Sequence, residues 1–440
     1  MFRTILVANR GEVAERIRRS AQQMGIRCLA IATDADKDLR FLNDFDDVLM
    51  LGDRRGYLNM EKIIQLAKSN RVSAIHPGWG FLSENPTFAS MCEAVGITFV
   101  GPTAPVMRLM ADKSKARDTM QKMKLFPIPG VDGVITSIDH AKKEASRIGY
   151  PVLLKAVAGG GGRGMRKVFS EDALAESFQS ASAEALSAFG NGAMYMEKLI
   201  TTGRHIEFQV LCDGQNAVIL GERECSIQRR HQKLLEETPS MLVTAELRES
   251  LQRKIAQVCQ QMGYRGAGTM EMLGDAEGHL YFMEMNTRLQ VEHTITEMVT
   301  GVDLVAEQLK IAANHPLNLD FKTQGHAIQC RINAEDVEQN FRPQPGRISA
   351  LQWPVGDGIR VDTHLREGDA VSPHYDSMIA KLIVHGGDRN SAIQKMQQAL
   401  SQIEIEGVPT TIGVHQKILQ SEIFQSGQYD TNFLEAFLKA

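Results

Sequence analysis

A chain of 440 residues, 43% of them hydrophobic, is long enough for about three domains with substantial cores. Its 49 Lys and Arg against 53 Asp and Glu leave a formal charge of -4, and aromatic residues reach only 6%, which argues against a nucleic-acid partner on both charge and base stacking. No apolar run reaches the ~18 residues of a membrane span, the cysteines form no C-x-x-C pair, and the chain enters a strand at Thr4 with no secretory leader, so a cytoplasmic protein with reduced, partly buried thiols is expected.

Residues 4–8 have a buried-strand pattern and Asn9-Arg10-Gly11-Glu12 is a turn. Val13, Ile17, Ala21 and Met24 then mark one helical face, closed by Gly25. Arg16, Arg18 and Arg19 on that helix read as a solvated face. Strand patterns at 28–32, 48–51 and 73–75 alternate with a helix at 60–68, which argues for a parallel sheet covered by helices. The first turn lacks G-x-G-x-x-G, so a dinucleotide site is poorly supported. His76-Pro77-Gly78-Trp79-Gly80 falls at the carboxyl end of a strand, either as a rigid turn or as a ligand loop. The sheet pattern stops near Gly101-Pro102. Asp112 caps a helix with Lys113 in its first turn, a cation against the helix dipole that a phosphate ligand would relieve.

A strand over 150–155 ends in Lys155, and a run of glycines from Gly159 to Gly162 with Arg163 and Gly164 follows. The run does not match a P-loop, but glycine backbone between strands allows N–H groups close to a phosphate, so a phosphate-covering flap is favoured. Residues 193–200 read as a strand and a crossing, an edge for a planar heterocycle or an ordinary interdomain strand. His205 to Leu211 alternate at period two, predicting a half-exposed strand, and Asp213-Gly214 marks a hairpin. The dense polar run from Glu222 to Lys233, with Cys225 inside it, turns basic and amidic after Glu224 and is best explained as an anion-binding loop.

Thr244 caps a helix running through Met262. A hairpin follows, with strands over 268–273 and 279–284. If Gly274 faces His279, Glu271 faces Phe282 and Glu284 is its diagonal neighbour. Continued strand spacing would line Glu284, Asn286, Arg288, Gln290 and Glu292 on one side. Two carboxylates among Met and Phe repel unless a cation lies between them, and Glu271, Glu284 and Asn286 offer the hard oxygens that suit Mg²⁺ or Mn²⁺. Residues 296–313 are mostly helical, and 325–336 form a strand carrying Arg331 on a face that periodicity leaves open. Short strands near Ile348, 359–361 and 378–384 and two last helices at 391–400 and 411–419 complete the chain, without repeats.

Several of these stretches together resemble the biotin carboxylase family: Asn9 to Glu12, His76 to Asn85, Gly159 to Met165, Gln228 to Lys233, Glu284 to His293 and Cys330 to Asp336. The resemblance spans essentially the whole chain in order. It implies an α/β and α+β multidomain protein with an ATP-grasp fold. Its parts would be an N-terminal parallel-sheet domain over 1–110, a helical linker over 111–129, a mobile lid with the glycine loop over 130–202 and a mixed C-terminal domain over 203–440. By resemblance, Lys113, Lys155, Gly161, Gly162, Glu197, Lys198, Leu199, Ile200, His205, Gln228 and His231 would hold ATP, with Glu271 and Glu284 also touching it. Glu271, Glu284 and Asn286 would hold Mg²⁺ or Mn²⁺, two ions in all. Lys233, Arg288, Gln290 and Val291 would hold bicarbonate, Glu292 would be the base and Arg331 would face the biotin ureido oxygen.

The implied reaction is attack of bicarbonate on the γ-phosphate, giving carboxyphosphate and then carboxylated biotin. This is the first half-reaction of an acyl-CoA carboxylase, with acetyl-CoA the leading acceptor and propionyl- or methylcrotonyl-CoA the alternatives. The chain lacks the Ala-Met-Lys-Met sequence of a biotin carrier, so the carrier is expected on a separate polypeptide, or the chain is a piece of a longer one. Carboxyltransferase subunits and a homodimer are the other implied partners. Trp79 stands where the family usually has Tyr and Thr294 where it usually has Pro, and Ala158 opens the glycine run; none falls on a proposed catalytic residue. Two other readings compete: a carbamoyl-phosphate type of ATP-grasp ligase, against which Arg288, Gln290, Glu292 and Arg331 argue, and a non-catalytic nucleotide-binding protein, which predicts loss of a metal or base residue.

Overall fold

The computed structural model describes residues 1–131, 133–135, 137–157 and 164–439. The expected glycine flap, including Gly161, Gly162 and Arg163, lies outside the described residues.

The N-terminal alternation produces β1 (Thr4–Val7), α1 (Gly11–Gln23), β2 (Arg27–Thr33), β3 (Asp47–Gly52), α2 (Met60–Ser69), β4 (Ala74–His76), α3 (Pro86–Ala94) and β5 (Thr98–Phe99). The strands form a five-stranded parallel sheet in the order β3-β2-β1-β4-β5. Its two faces bury different residues, Ile5, Val7 and Ala30 on one side and Leu6, Leu29 and Ile75 on the other, as a sheet covered on both faces requires. Arg16 is not a solvated residue: it is 4% exposed and pairs with Glu297 at 2.6 Å and Asp303 at 2.8 Å.

Helices α4 (Ala104–Ala111) and α5 (Lys113–Lys122) follow, and Asp112 caps the second by accepting from the Lys115 N–H at 3.1 Å. After α6 (Ile138–Ile148) comes a small sheet in which β6 (Val152–Ala156) lies between β7 (Met165–Val168) and β8 (Met194–Lys198), backed by α7 (Leu174–Phe189).

The largest element is an eight-stranded antiparallel sheet. It contains β9 (Arg204–Asp213), β10 (Ala217–Arg229), β11 (Gln232–Thr238), β12 (Arg265–Gly274), β13 (Leu280–Asn286) and β14 (His326–Asn333), in the order β13-β12-β9-β10-β11-β14, and then strands Met378–Gly386 and Ile359–Thr363. Helix α8 (Ala245–Gln261) lies between β11 and β12 in the chain, with Thr244 accepting from the Leu247 N–H. The predicted helix over 296–313 is two helices, α9 (His293–Thr300) and α10 (Leu304–Ala312), parted at Gly301 in the left-handed region. Beyond the two expected last helices, seen as Arg389–Ser401 and Ile412–Gln420, short helices Glu422–Gln425 and Phe433–Phe437 were not foreseen.

β9 corrects one expectation outright. Its alternation predicted a half-exposed strand, yet His205, Glu207 and Gln209 are buried along with Ile206, Phe208 and Val210. The strand lies inside the sheet, and its polar side faces other polar side chains rather than solvent.

Glu237 ties the C-terminal segment to this sheet. It accepts from His326 at 2.7 Å and from Arg389 at 2.7 and 3.0 Å, and Tyr429 also donates to it. Burial alone would raise its carboxyl, but His326 and Arg389 outweigh it and hold it down at about 2. Glu237→Gln should destabilise the protein by roughly 3–5 kcal/mol near neutral pH, because Arg389 loses its buried partner. A carboxyl depressed on folding stabilises above its ordinary value of 4.5 and loses that contribution as pH falls toward about 2. Denaturant unfolding of both forms should therefore show the gap shrinking with acidification, and a gap constant down to the acid limit would refute the assignment.

Candidate functional site

The hairpin β12–β13 carries the first part of the site. Its register is not the expected one: Glu271 lies directly opposite Glu284, while Met272 faces Phe282 and Gly274 faces Leu280. The turn already sets Gly274 against Leu280, one residue off the expected pairing, and a bulge between Glu271 and Met272 adds a second; together they bring the carboxylates from diagonal to face-to-face. The Glu284 carboxyl is raised by its surroundings and by the Glu271 charge, with Lys113 opposing at 4.0 Å. Asn286, two residues along β13, shares its face with Glu284.

β13 ends at Asn286, so the strand spacing expected through Glu292 fails there. Residues 287–291 form a loop, and Glu292 stands just before α9. Side chains brought together on a loop, not on a pleat, line this part of the site. Arg288 Nε donates to Glu84 at 2.9 Å and its Nη2 to Asn286 Oδ1 at 3.0 Å. Gln290 Nε2 donates to Glu271 at 2.8 Å.

Lys233 is the centre of the arrangement. Its ammonium donates to Glu207 and Glu292 at 2.5 Å each and to Glu271 at 3.2 Å. Burial would lower its pKa, but these carboxylates push it well above the ordinary lysine value. Burial likewise would raise Glu292, yet Lys233, Arg331 and Arg223 hold its carboxyl well below the usual range. Arg331, whose facing the sequence left open, points into the site: its Nη2 meets Glu292 Oε2 at 3.0 Å while its Nε donates to Glu236 at 2.6 Å. His205 Nε2 stands 3.3 Å from Glu271; desolvation lowers the imidazole, but the charge and hydrogen bond of Glu271 with the charge of Glu207 together raise it.

The predicted nucleotide residues divide between two sheets. On the small sheet Lys155 pairs with Glu197, and Arg117 reaches the same carboxylate at 3.5 Å. The Lys198 ammonium turns to the carbonyls of Gly149 and Tyr150 at 3.0 and 2.9 Å, while Leu199 is buried and Ile200 half-buried. Gln228 is half-buried and His231 exposed, at the tip of the β10–β11 hairpin, which is what the polar run from Glu222 onward forms. A cleft of about 190 Å³, open to solvent, runs past Glu84, Lys113, Glu284 and Asn286.

Sequence reasoning missed the groups behind these residues. Glu207, Glu236 and Arg223 are fully buried, and Arg223 alone donates to Glu207, Gln209, Thr296, Thr269 and Gln290. For Glu207 the signal lies in the polar positions of β9, which a buried polar layer satisfies as well as solvent does; Arg223 on β10 and Glu236 on β11 carry no such mark. Thr294 also matters more than its position suggested: it donates to Gln329, Gln329 Nε2 donates to Glu236 at 3.1 Å, and Glu236 holds Arg331.

Models of known families match the chain in three parts: "Biotin carboxylase, N-terminal domain" over 1–107, "Carbamoyl-phosphate synthase L chain, ATP binding domain" over 112–320, and "Biotin carboxylase C-terminal domain" over 329–436. A biotin carboxylase of Nostoc sp. is 48% identical over 445 residues, covering 100% of both chains. A pyruvate carboxylase subunit of Methanothermobacter thermautotrophicus is 46% identical, covering 99% of this chain and 90% of its own. The biotin carboxylase domain dimer of Hydrogenobacter thermophilus 2-oxoglutarate carboxylase, solved with MgADP, ADP and bicarbonate, superposes with a TM-score of 0.93 at 45% identity, over 99% of this chain and 98% of its own.

Cys225 lies between Glu224 and Ser226 in a polar stretch, but its thiol is fully buried, and burial with the Glu207 charge raises it well above the ordinary value. Native protein at mildly alkaline pH should leave Cys225 unalkylated by iodoacetamide, while denatured protein is fully labelled. Peptide mapping that found Cys225 alkylated in folded protein would contradict this burial.

Proposed function

The chain belongs to the biotin carboxylase family, ATP-dependent ligases, and we propose that it carboxylates biotin on a separate carrier, with carboxyphosphate as intermediate. The observation that carries the reading is Lys233 within 2.5 Å of Glu292, with Arg331 on the other oxygen of that carboxylate, next to the opposed pair Glu271 and Glu284. ATP would lie over Lys113, Lys155, the edge from Glu197 to Ile200, His205, Gln228 and His231, under a lid carrying Gly161 and Gly162. Bicarbonate would take the loop of Arg288, Gln290 and Val291 beside Lys233.

The donor set fits a divalent cation. Glu271 and Glu284 face each other, and Asn286 adds an amide oxygen on the same face; burial first, and then the Glu271 charge, raise the Glu284 carboxyl, and a counter-ion between the pair would offset both. Mg²⁺ or Mn²⁺ held there, as two ions, would neutralise phosphate charge when bound.

Glu292 is ionised at neutral pH because its basic neighbours hold its carboxyl down, so it can accept a proton. While Lys233 is docked on it, it is a weak base. A bicarbonate oxygen that accepts from Lys233 competes for that ammonium and restores basicity to Glu292 as the nucleophile arrives. The bicarbonate hydroxyl then gives its proton to Glu292, its oxygen attacks the γ-phosphorus and ADP leaves, while Lys233 and Arg288 stabilise the charge that develops. Arg331 would steady the enolate-like ureido oxygen of biotin. A closed lid would keep water from the acyl phosphate.

The final acceptor is set by a carboxyltransferase partner. We take it to be an acyl-CoA, acetyl-CoA first and propionyl- or methylcrotonyl-CoA after it; the names of relatives make pyruvate and 2-oxoglutarate the competing keto acids. A homodimer in the cytoplasm completes the proposal; no described helix is long and apolar enough to cross a membrane. Reconstitution with carrier and carboxyltransferase from the same source, assayed with acyl-CoAs and keto acids, decides the acceptor.

ADP release with Mg²⁺ and ATP should require bicarbonate and rise with free biotin. Glu292→Gln should lower that turnover by about 10²–10⁴-fold with ATP affinity nearly unchanged. Turnover retained in the variant would remove Glu292 as the base, and ADP release indifferent to biotin would move the acceptor elsewhere.

A further inference from the structure

The order β3-β2-β1-β4-β5 reverses between β1 and β4. In an open parallel sheet such a reversal leaves a crevice at the carboxyl ends of the strands, where these folds bind ligands. Here it is filled. Asn9 at the end of β1 donates to the carbonyls of Pro77 at 2.6 Å and Trp79 at 2.7 Å, sewing the two loops together. Gly78 is left-handed (φ +63°), and a Cβ there would lie 2.9 Å from the Asn9 amide. The space left among Asn9, Trp79, Phe81, His364 and Asp376 is about 10 Å³, room for no more than a water.

Two carboxylates on the segments that follow β1 and β4 each reach an end of the loop over 287–291. Glu84, from the loop after β4, accepts from the Thr287 N–H at 2.9 Å, from the Thr287 hydroxyl at 3.3 Å and from Arg288 Nε at 2.9 Å. Glu12, in the first turn of α1, pairs with the Lys381 ammonium at 2.7 Å, and that ammonium donates to the Val291 carbonyl at 3.1 Å. Lys381 lies opposite Arg331 in the sheet.

We propose that the switch point of the N-terminal sheet is a two-point clamp that positions the bicarbonate loop, with Glu84 at one end and Glu12 with Lys381 at the other as positioning residues. The inference rests on the reading of that loop as the bicarbonate site. Neither contact is explained by stability. The Glu84 side chain is 41% exposed, and exposed ion pairs contribute little. Glu12 and Lys381 are fully buried, and such pairs are often replaceable by apolar residues at no cost in stability. What both provide is direction. Glu84 takes Arg288 Nε and a backbone N–H, leaving Arg288 Nη2 on Asn286. Lys381 fixes the carbonyl just before Glu292.

The test is steady-state ADP release by the full chain as bicarbonate and ATP are varied separately, with thermal unfolding alongside. Glu84→Ala and the charge-neutral double variant Glu12→Gln with Lys381→Met should each raise the bicarbonate KM or lower kcat by about 10- to 100-fold, with the ATP KM within about twofold. Glu84→Gln keeps one acceptor and should fall between wild type and Glu84→Ala. Folded variants with unchanged bicarbonate KM and kcat would overturn the clamp, as would parallel losses in the bicarbonate and ATP constants, the mark of a merely structural role. Wild-type turnover indifferent to bicarbonate would instead overturn the loop assignment beneath it, and the clamp with it.

Discussion

The site is organised by one buried ammonium among carboxylates. Lys233 touches Glu207, Glu271 and Glu292, and each of these has a second partner: Arg223 for Glu207, Gln290 and His205 for Glu271, Arg331 for Glu292. Removing the ammonium would leave like charges packed together in a place with little water, which costs far more than a surface charge. The same constraint sets the protonation states: the carboxyls of Glu292 and Glu271 are held low, and Lys233 is held high. An anion entering between Lys233 and Glu292 therefore meets a preorganised cation and a proton acceptor at once, without either having to be created.

That cluster demands support from several parts of the chain. Glu207 comes from β9, Lys233 from β11, Glu271 from β12, Arg331 from β14 and Glu292 from the entry to α9. Strands of one antiparallel sheet supply all but the last, so the sheet fixes their spacing while the loop before α9 supplies the one group that comes from outside it. An eight-stranded sheet with a fully buried polar stripe is costly unless each polar group is answered, and Arg223 answers Glu207, Gln209 and Thr269 of the sheet and Gln290 of the loop.

Much of this was legible in the sequence. The βα alternation, the Asp112 and Thr244 caps, the β12–β13 hairpin and the gathering of Glu271, Lys233, Arg288, Gln290, Glu292 and Arg331 could be named beforehand. What failed did so for identifiable reasons. Register was off by one residue at the turn, where Gly274 faces Leu280, and by two at Glu271, because a bulge inside a strand leaves no mark in residue type. The period-two rule ran past Asn286 because charged residues continued to alternate after the strand had ended. In β9, alternation distinguishes two faces but does not say that the polar one meets water; a second polar layer satisfies it equally. Glu84 and Glu236 were invisible for another reason: their partners lie 204 and 95 residues away.

Thr294 shows how far a site extends beyond the residues that touch substrate. A proline at this position would have no hydroxyl to donate, and Gln329 would have to find another partner for its carbonyl oxygen. Here Thr294 fixes that oxygen, which turns the Gln329 amide N–H toward Glu236. Burial raises the Glu236 carboxyl, and Arg331 opposes that rise. Arg331 is thus shared between Glu236 and Glu292, and whatever steadies Glu236 decides how firmly Arg331 holds Glu292. A departure that leaves every proposed catalytic residue in place therefore still acts on the balance between the two carboxylates that compete for one guanidinium.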